Sequence, residues 1–109
     1  MSKLEQTNGL LHEELAQAIN REVALENGLI TITGVQCSPD FKQAKVFFSV
    51  LPDNLTGTAL RRLGAATSQL VAILKTRTRL RVIPHLIWEF DATEKEAAKI
   101  ERLIAGIED

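Results

Sequence analysis

The stretch LITITGVQCSPDFKQAKVFFSVL, Leu29 to Leu51, contains two alternating apolar runs joined by a Ser-Pro-Asp turn. In an extended chain successive side chains point to opposite faces, so residues of one parity line one face of a sheet. Ala44, Val46, Phe48 and Val50 keep one parity throughout the second run. In the first run Ile30 and Ile32 share a parity, but Val35 and Cys37 take the other, and Gly34 stands at the change. One extra residue in the strand reconciles the halves, so the spacing predicts a hairpin with a bulge at Gly34. Proline and aspartate at the centre supply the turn chemistry.

Working outward, the apolar residues Leu11, Leu15, Ala18, Ile19 and Val23 recur at helical spacing, which predicts an amphipathic helix over Leu4 to Val23 that stops before Asn27-Gly28. After the hairpin, Pro52-Asp53-Asn54 breaks the chain. Leu60, Leu63, Leu70, Ile73 and Leu74 then form a second helical stripe over about Thr56 to Thr76. Gly64 and the Thr67-Ser68 pair lie in its middle, where glycine weakens the helix and the hydroxyls compete for backbone bonds, so a bend is expected at Gly64 to Ser68. A strand over Arg81 to Phe90 follows, with Val82, Leu86, Trp88 and Phe90 on one face and Pro84 marking a sheet edge. Trp88 is expected as a core anchor. A Thr93-x-x-Glu96 capping box then opens a last helix carrying Ala97, Ile100, Leu103, Ile104 and Ile107. The order is α-β-β-α-β-α, an α+β fold with a three-stranded sheet, helices on one face and the other face partly exposed.

With 109 residues, 45% hydrophobic and 25% charged, the chain suits a single domain spanning 1–109. A net charge of -1 excludes a uniformly basic coat for a polyanion, so binding to nucleic acid would need local clustering. Such a cluster is present. Lys75, Arg77, Arg79 and Arg81 occupy alternate positions, which in an extended backbone would place all four on one side. Lys42, Lys45, Arg61 and Arg62 add to the set, and together these cations predict phosphate contacts.

Other chemistry finds little support. Cys37 is the single cysteine, which rules out an internal disulfide and suits a reducing cytoplasm. His12 and His85 have no ligand at metal spacing and are read as structural or solvated. No glycine-rich phosphate loop, nucleophile elbow or acid-base pair is visible, so no enzyme activity and no cofactor is expected. Neither a signal peptide nor an apolar run of the ~20 residues that span a bilayer occurs, so a cytoplasmic protein without membrane contact is expected.

The run from Gly34 to Leu51, with Asp40, Phe41, Ala44, Lys45 and Val46, resembles the hairpin of the ribosome-binding factor A family. The run from Arg79 to Asp91, with Arg79, Leu80, Arg81, Pro84, Leu86, Phe90 and Asp91 in order, is similar to that family's last core strand. The resemblance implies a type II KH-like fold whose second helix is kinked at an Ala-x-Gly sequence. Here that place reads Ala66-Thr67-Ser68, with serine in the glycine position. It also implies a monomeric, non-catalytic assembly factor that binds the small ribosomal subunit and its 16S rRNA, assists rRNA maturation at the 5′ end and serves cold adaptation. No small-molecule substrate is implied. The expected RNA-binding set is Lys42, Lys45, Arg61, Arg62, Ser68, Lys75, Arg77, Arg79 and Arg81. The alternative is a protein-interaction module that uses the sheet edge and the C-terminal helix without touching RNA.

Overall fold

In the computed structural model, which describes residues 2–92, the chain runs α1 (Lys3–Glu22), β1 (Leu29–Cys37), β2 (Gln43–Leu51), α2 (Thr56–Arg77) and β3 (His85–Phe90). A single 3₁₀ turn, Asp53–Leu55, leads into α2. The expected last helix, from Thr93 to Ile107, lies outside the described residues.

α1 begins where Ser2, in an extended conformation, accepts a hydrogen bond from the Glu5 N–H at 3.1 Å. Its buried stripe is Leu11, Leu15, Ala18 and Ile19, as the spacing predicts. β1 and β2 pair antiparallel with Ile32 opposite Phe48 and Gly34 opposite Phe47. Thr33 is therefore the extra residue, so the bulge sits one position before Gly34, and Val35 and Cys37 turn back onto the face of Ile30 and Ile32. β3 joins the other edge of β2 in parallel, giving the order β1-β2-β3. It starts at His85 because Pro84 has no N–H to donate; the first ladder bond is His85 N–H to the Lys42 carbonyl at 2.9 Å.

α1 packs on β1 and α2 on β3, and both helices cover the same sheet face. Between them lie Ala44, Val46 and Phe48, each fully buried, against Leu63, Leu70 and Leu74 from α2. Phe48 meets Phe90 edge to face, ring centroids 6.1 Å apart. Register places Gln43, Lys45, Phe47 and Ser49 of β2 on the uncovered face, with His85, Ile87 and Glu89 beside them on β3.

Two expectations change. The alternation that would place Lys75, Arg77, Arg79 and Arg81 on one side of a strand does not form, because α2 continues through Arg77. The apolar stripe through Leu70, Ile73 and Leu74 holds that turn to the core, and Thr78 ends the helix with both its N–H and its hydroxyl on the Leu74 carbonyl. Second, Val82 does not share the core face. It lies before the strand and is 77% exposed, while Ile83 takes the buried place. Leu60 is likewise exposed, with Ala59 buried instead. α2 is helical without a break across Gly64 to Ser68, and no residue of it has positive φ, so the place of the family's Ala-x-Gly kink does not use the left-handed conformation here. The Thr67 hydroxyl donates to the Leu63 carbonyl at 2.8 Å one turn back, the kind of competing bond that bends a helix without breaking it.

Trp88 is an anchor at the edge of the core rather than at its centre. It is half-buried, packs on the core cluster and donates its indole N–H to the Thr67 hydroxyl at 2.9 Å. This bond ties β3 to the middle of α2. Asn8 and His12, neighbours on α1, reach the backbone of β1: the Asn8 side-chain carbonyl accepts from Cys37 N–H at 2.8 Å, and His12 Nε2 lies 3.0 Å from the Ile32 carbonyl. His12 is thus structural, and His85 is exposed on the open face. Burial pushes the Cys37 thiol up, which suits an inert strand residue.

In urea unfolding, Phe48→Ala is expected to lose about 3–5 kcal/mol, because it empties the middle of the core. Trp88→Phe keeps most of the packing and removes one donor, so it should lose about 1 kcal/mol; a loss as large as that of Phe48→Ala would show the indole bond to be the main tie between β3 and α2.

Candidate nucleic-acid interface

The turn between β1 and β2 is locked by side-chain bonds. The Ser38 hydroxyl donates to Asp40 Oδ1 at 2.6 Å and accepts from the Gln43 N–H at 3.1 Å, while the Lys42 N–H also reaches Asp40 Oδ1 at 3.0 Å. The Ser38 hydroxyl and the Lys42 N–H hold the Asp40 carboxyl below its ordinary range, so it stays ionised and faces its own turn. The lock keeps Phe41 at a φ of 60°, a left-handed conformation that a side chain disfavours. Phe41 lies beneath Lys3 of α1, whose ammonium is 6.0 Å from the ring centroid.

The 78–84 segment reaches the same place. Leu80, Val82 and Pro84 line a cavity with Phe41 and with Lys3 and Thr7 of α1. The first turns of α1, the hairpin turn and the chain leaving α2 therefore form one end of the molecule. Its cations are Lys3 in the lining of the recess, Lys42 next to Phe41, and Arg79 and Arg81 within the 78–84 segment, with Lys75 and Arg77 in the last turn of α2 that leads into it.

They are not equivalent. Arg77 Nε is 3.0 Å from Glu14 Oε2, and its terminal nitrogen donates to Gln17 Oε1 at 3.5 Å. Arg77 is thus a strut between the antiparallel helices α1 and α2, although its side chain stays 43% exposed. Lys75, Arg79 and Arg81 are exposed, and among the described residues their side chains have no hydrogen-bond or ion-pair partner. The same holds for the side chain of Lys42. Lys75 and Arg77 also lie in the last turn of α2, where cations complement the helix dipole.

Arg61 and Arg62 are elsewhere. They precede Lys75 by thirteen or more positions, which on a helix is about 20 Å. Arg62 donates to the Ala24 carbonyl at 3.2 Å beyond the end of α1, and Arg61 to the Thr58 hydroxyl at 3.3 Å. Ser68 is exposed on α2 between the two groups. Lys45 projects from the uncovered sheet face, paired in register with Gln36 and Ile87. Lys3 is the one member of the basic end that sequence reasoning left out, since nothing local signals that its helix turn meets the hairpin.

Chemically this end presents exposed cations over a small apolar recess, which suits binding a polyanion. Among the described residues, no cluster of His, Cys, Asp or Glu could hold a metal ion. No helix among them is long and apolar enough to cross a membrane.

Comparison with known proteins agrees with the fold. The family model for ribosome-binding factor A matches residues 3–104. A ribosome-binding factor A of Coxiella burnetii is 36% identical over 96 residues, 87% of this chain and 81% of the relative. The crystal structure of ribosome-binding factor A from Thermus thermophilus superimposes with a TM-score of 0.69 at 30% identity, over 80% of this chain and 93% of that one. Coordinates of the Thermus thermophilus factor fitted into a cryo-EM map of its complex with the 30S subunit give a TM-score of 0.68 at 28% identity, over 85% of this chain and 97% of that one. On the extent of these matches, the chain belongs to the ribosome-binding factor A family.

Proposed function

We propose that the chain binds the 30S subunit through phosphates of its 16S rRNA, and that Lys42, Lys75, Arg79 and Arg81 are the principal contacts, with Lys3 beside them. The observation that carries this reading is that Lys42, Arg79 and Arg81 adjoin residues lining one recess, Lys75 lies in the helix turn leading to it, and the side chains of these four have no partner among the described residues. An unpaired cation keeps its full charge for a phosphate, whereas Arg77 would first have to leave Glu14. Arg61, Arg62, Lys45 and Ser68 fall outside this end and make at most peripheral contacts. Support from a relative comes from the Thermus thermophilus factor, whose coordinates were fitted to a 30S complex.

The factor acts without catalysing a reaction, as a monomer in the cytoplasm. It promotes maturation of the 5′ end of the rRNA by holding one RNA conformation more tightly than its competitors, which shifts the RNA population by the difference in affinity. Such help matters most in the cold, where misfolded RNA pairings persist.

Changing Lys75, Arg79 and Arg81 together to glutamine is expected to weaken co-sedimentation with small subunits and to flatten its salt dependence. Each lost contact to single-stranded RNA removes roughly 0.7 from the slope of log K against log salt. The Arg61 and Arg62 double change to glutamine should leave most of that slope in place. If the two variants lose slope equally, the basic end is not the contact surface. Binding that survives high salt unchanged would favour a protein partner over RNA.

A further inference from the structure

The recess lined by Phe41, Leu80, Val82, Pro84, Thr7 and Lys3 has a volume of about 220 Å³. Pockets that enclose a drug-sized ligand run to ~300–1,000 Å³, so this one suits a single flat ring system rather than a whole cofactor. An aromatic ring, a proline and two aliphatic side chains make its walls, and Val82 is 77% exposed. An apolar side chain left so open next to a recess marks a contact surface.

The rim is cationic. Arg79 and Arg81 alternate in sequence with the wall residues Leu80 and Val82, and neither has a partner among the described residues. Lys3 stands in the first turn of α1, where the helix dipole already makes the potential positive and a lysine does nothing for helix stability. Its placement over Phe41 gives it a different use. Asp40 is the carboxylate next to Phe41 in sequence, and its Oδ1 is engaged by Ser38 and by the Lys42 N–H.

From the juxtaposition of apolar walls and cationic rim we propose that this recess takes one unpaired nucleobase of the bound RNA, while the rim holds its flanking phosphates. The inference rests on the RNA-binding reading above and deepens it. An apolar peptide side chain would fill the walls equally well but would leave the rim without anions. A base brings a phosphate on either side, which matches the charge. Unstacked bases of single-stranded RNA commonly bind in this way, on an aromatic ring with guanidinium groups nearby.

The test compares a short labelled oligoadenylate with an abasic oligomer of the same length and phosphate count, by fluorescence anisotropy at several salt concentrations. The base-bearing oligomer is expected to bind about tenfold more tightly at each salt, with the same salt slope. Phe41→Leu and, at an exposed site where folding is not at stake, Val82→Asp should each narrow that gap. Equal affinity for the two oligomers overturns the base pocket and leaves the phosphate reading standing. A gap that neither variant narrows places the base contact elsewhere and also overturns it. Loss of all salt-dependent binding, to oligomers and to small subunits alike, sinks both.

Discussion

The parallel pairing of β3 with β2 is the constraint on which the rest of the structure depends. Antiparallel neighbours can be joined by a tight turn, as β1 and β2 are, but a parallel neighbour requires the chain to travel back along the sheet before it starts again. α2 makes that return. Because Gln43 is in register with His85, the end of the return must arrive where β2 begins. The basic segment after α2 is therefore delivered beside Lys42 and the hairpin turn by topology, and no specific attraction among the cations is needed to gather them. Like charges gathered in this way repel one another, and the fold holds them together through Leu74, Ile83 and Leu86, which are buried on either side of the segment.

Which cations remain available is decided by the seam between α1 and α2. The helices run antiparallel, and polar ties occur along them: Arg77 with Glu14, Gln69 with Glu22 at 2.8 Å, and Arg62 with the Ala24 carbonyl. Exposed ties of this kind contribute little stability each, typically below about 1 kcal/mol. Their effect is to aim side chains. They turn Arg62 and Arg77 toward α1 and leave Lys75, Arg79 and Arg81 without such a tie among the described residues. On the far side of α1, Asn8 and His12 engage backbone groups of β1, which blunts a strand edge that would otherwise be open to another chain. The edge is thereby less suited to recruiting a partner strand.

Much of this was legible in the sequence. The parity change at Gly34 revealed the bulge to within one residue, since only an extra residue returns Val35 and Cys37 to the core face. Helical stripes found α1 and α2 within a residue or two at each end. The basic run misled because alternate spacing of charged residues carries no information about burial. Leu70, Ile73 and Leu74 in the preceding turn did carry it, and they hold α2 helical as far as Arg77. The bend at Gly64 to Ser68 was argued from local weakness alone. Tertiary packing of Leu63 and Leu70 on either side, with Thr67 held between the Leu63 carbonyl and Trp88, keeps the helix continuous through that weakness. Lys3 could not be found from sequence at all, because its meeting with Phe41 is a contact between segments far apart in the chain.

A chain with a net charge of -1 can still grip a polyanion, because what a phosphate meets is the local field. At physiological salt, charges more than about 8 Å away are largely screened. The carboxylates of Glu22 and Glu26 lie at and beyond the far end of α1, a helix whose 20 residues span about 30 Å. These two count in the overall charge yet barely act at the basic end, where the carboxylates among the described residues are Glu5, in the first turn of α1, and Asp40, held within its own turn. Glu14 is closer than Glu22 and Glu26, but Arg77 neutralises it. The strut therefore has a second consequence: by occupying a nearby carboxylate, Arg77 strengthens the field of Lys75, Arg79 and Arg81 without itself touching the anion.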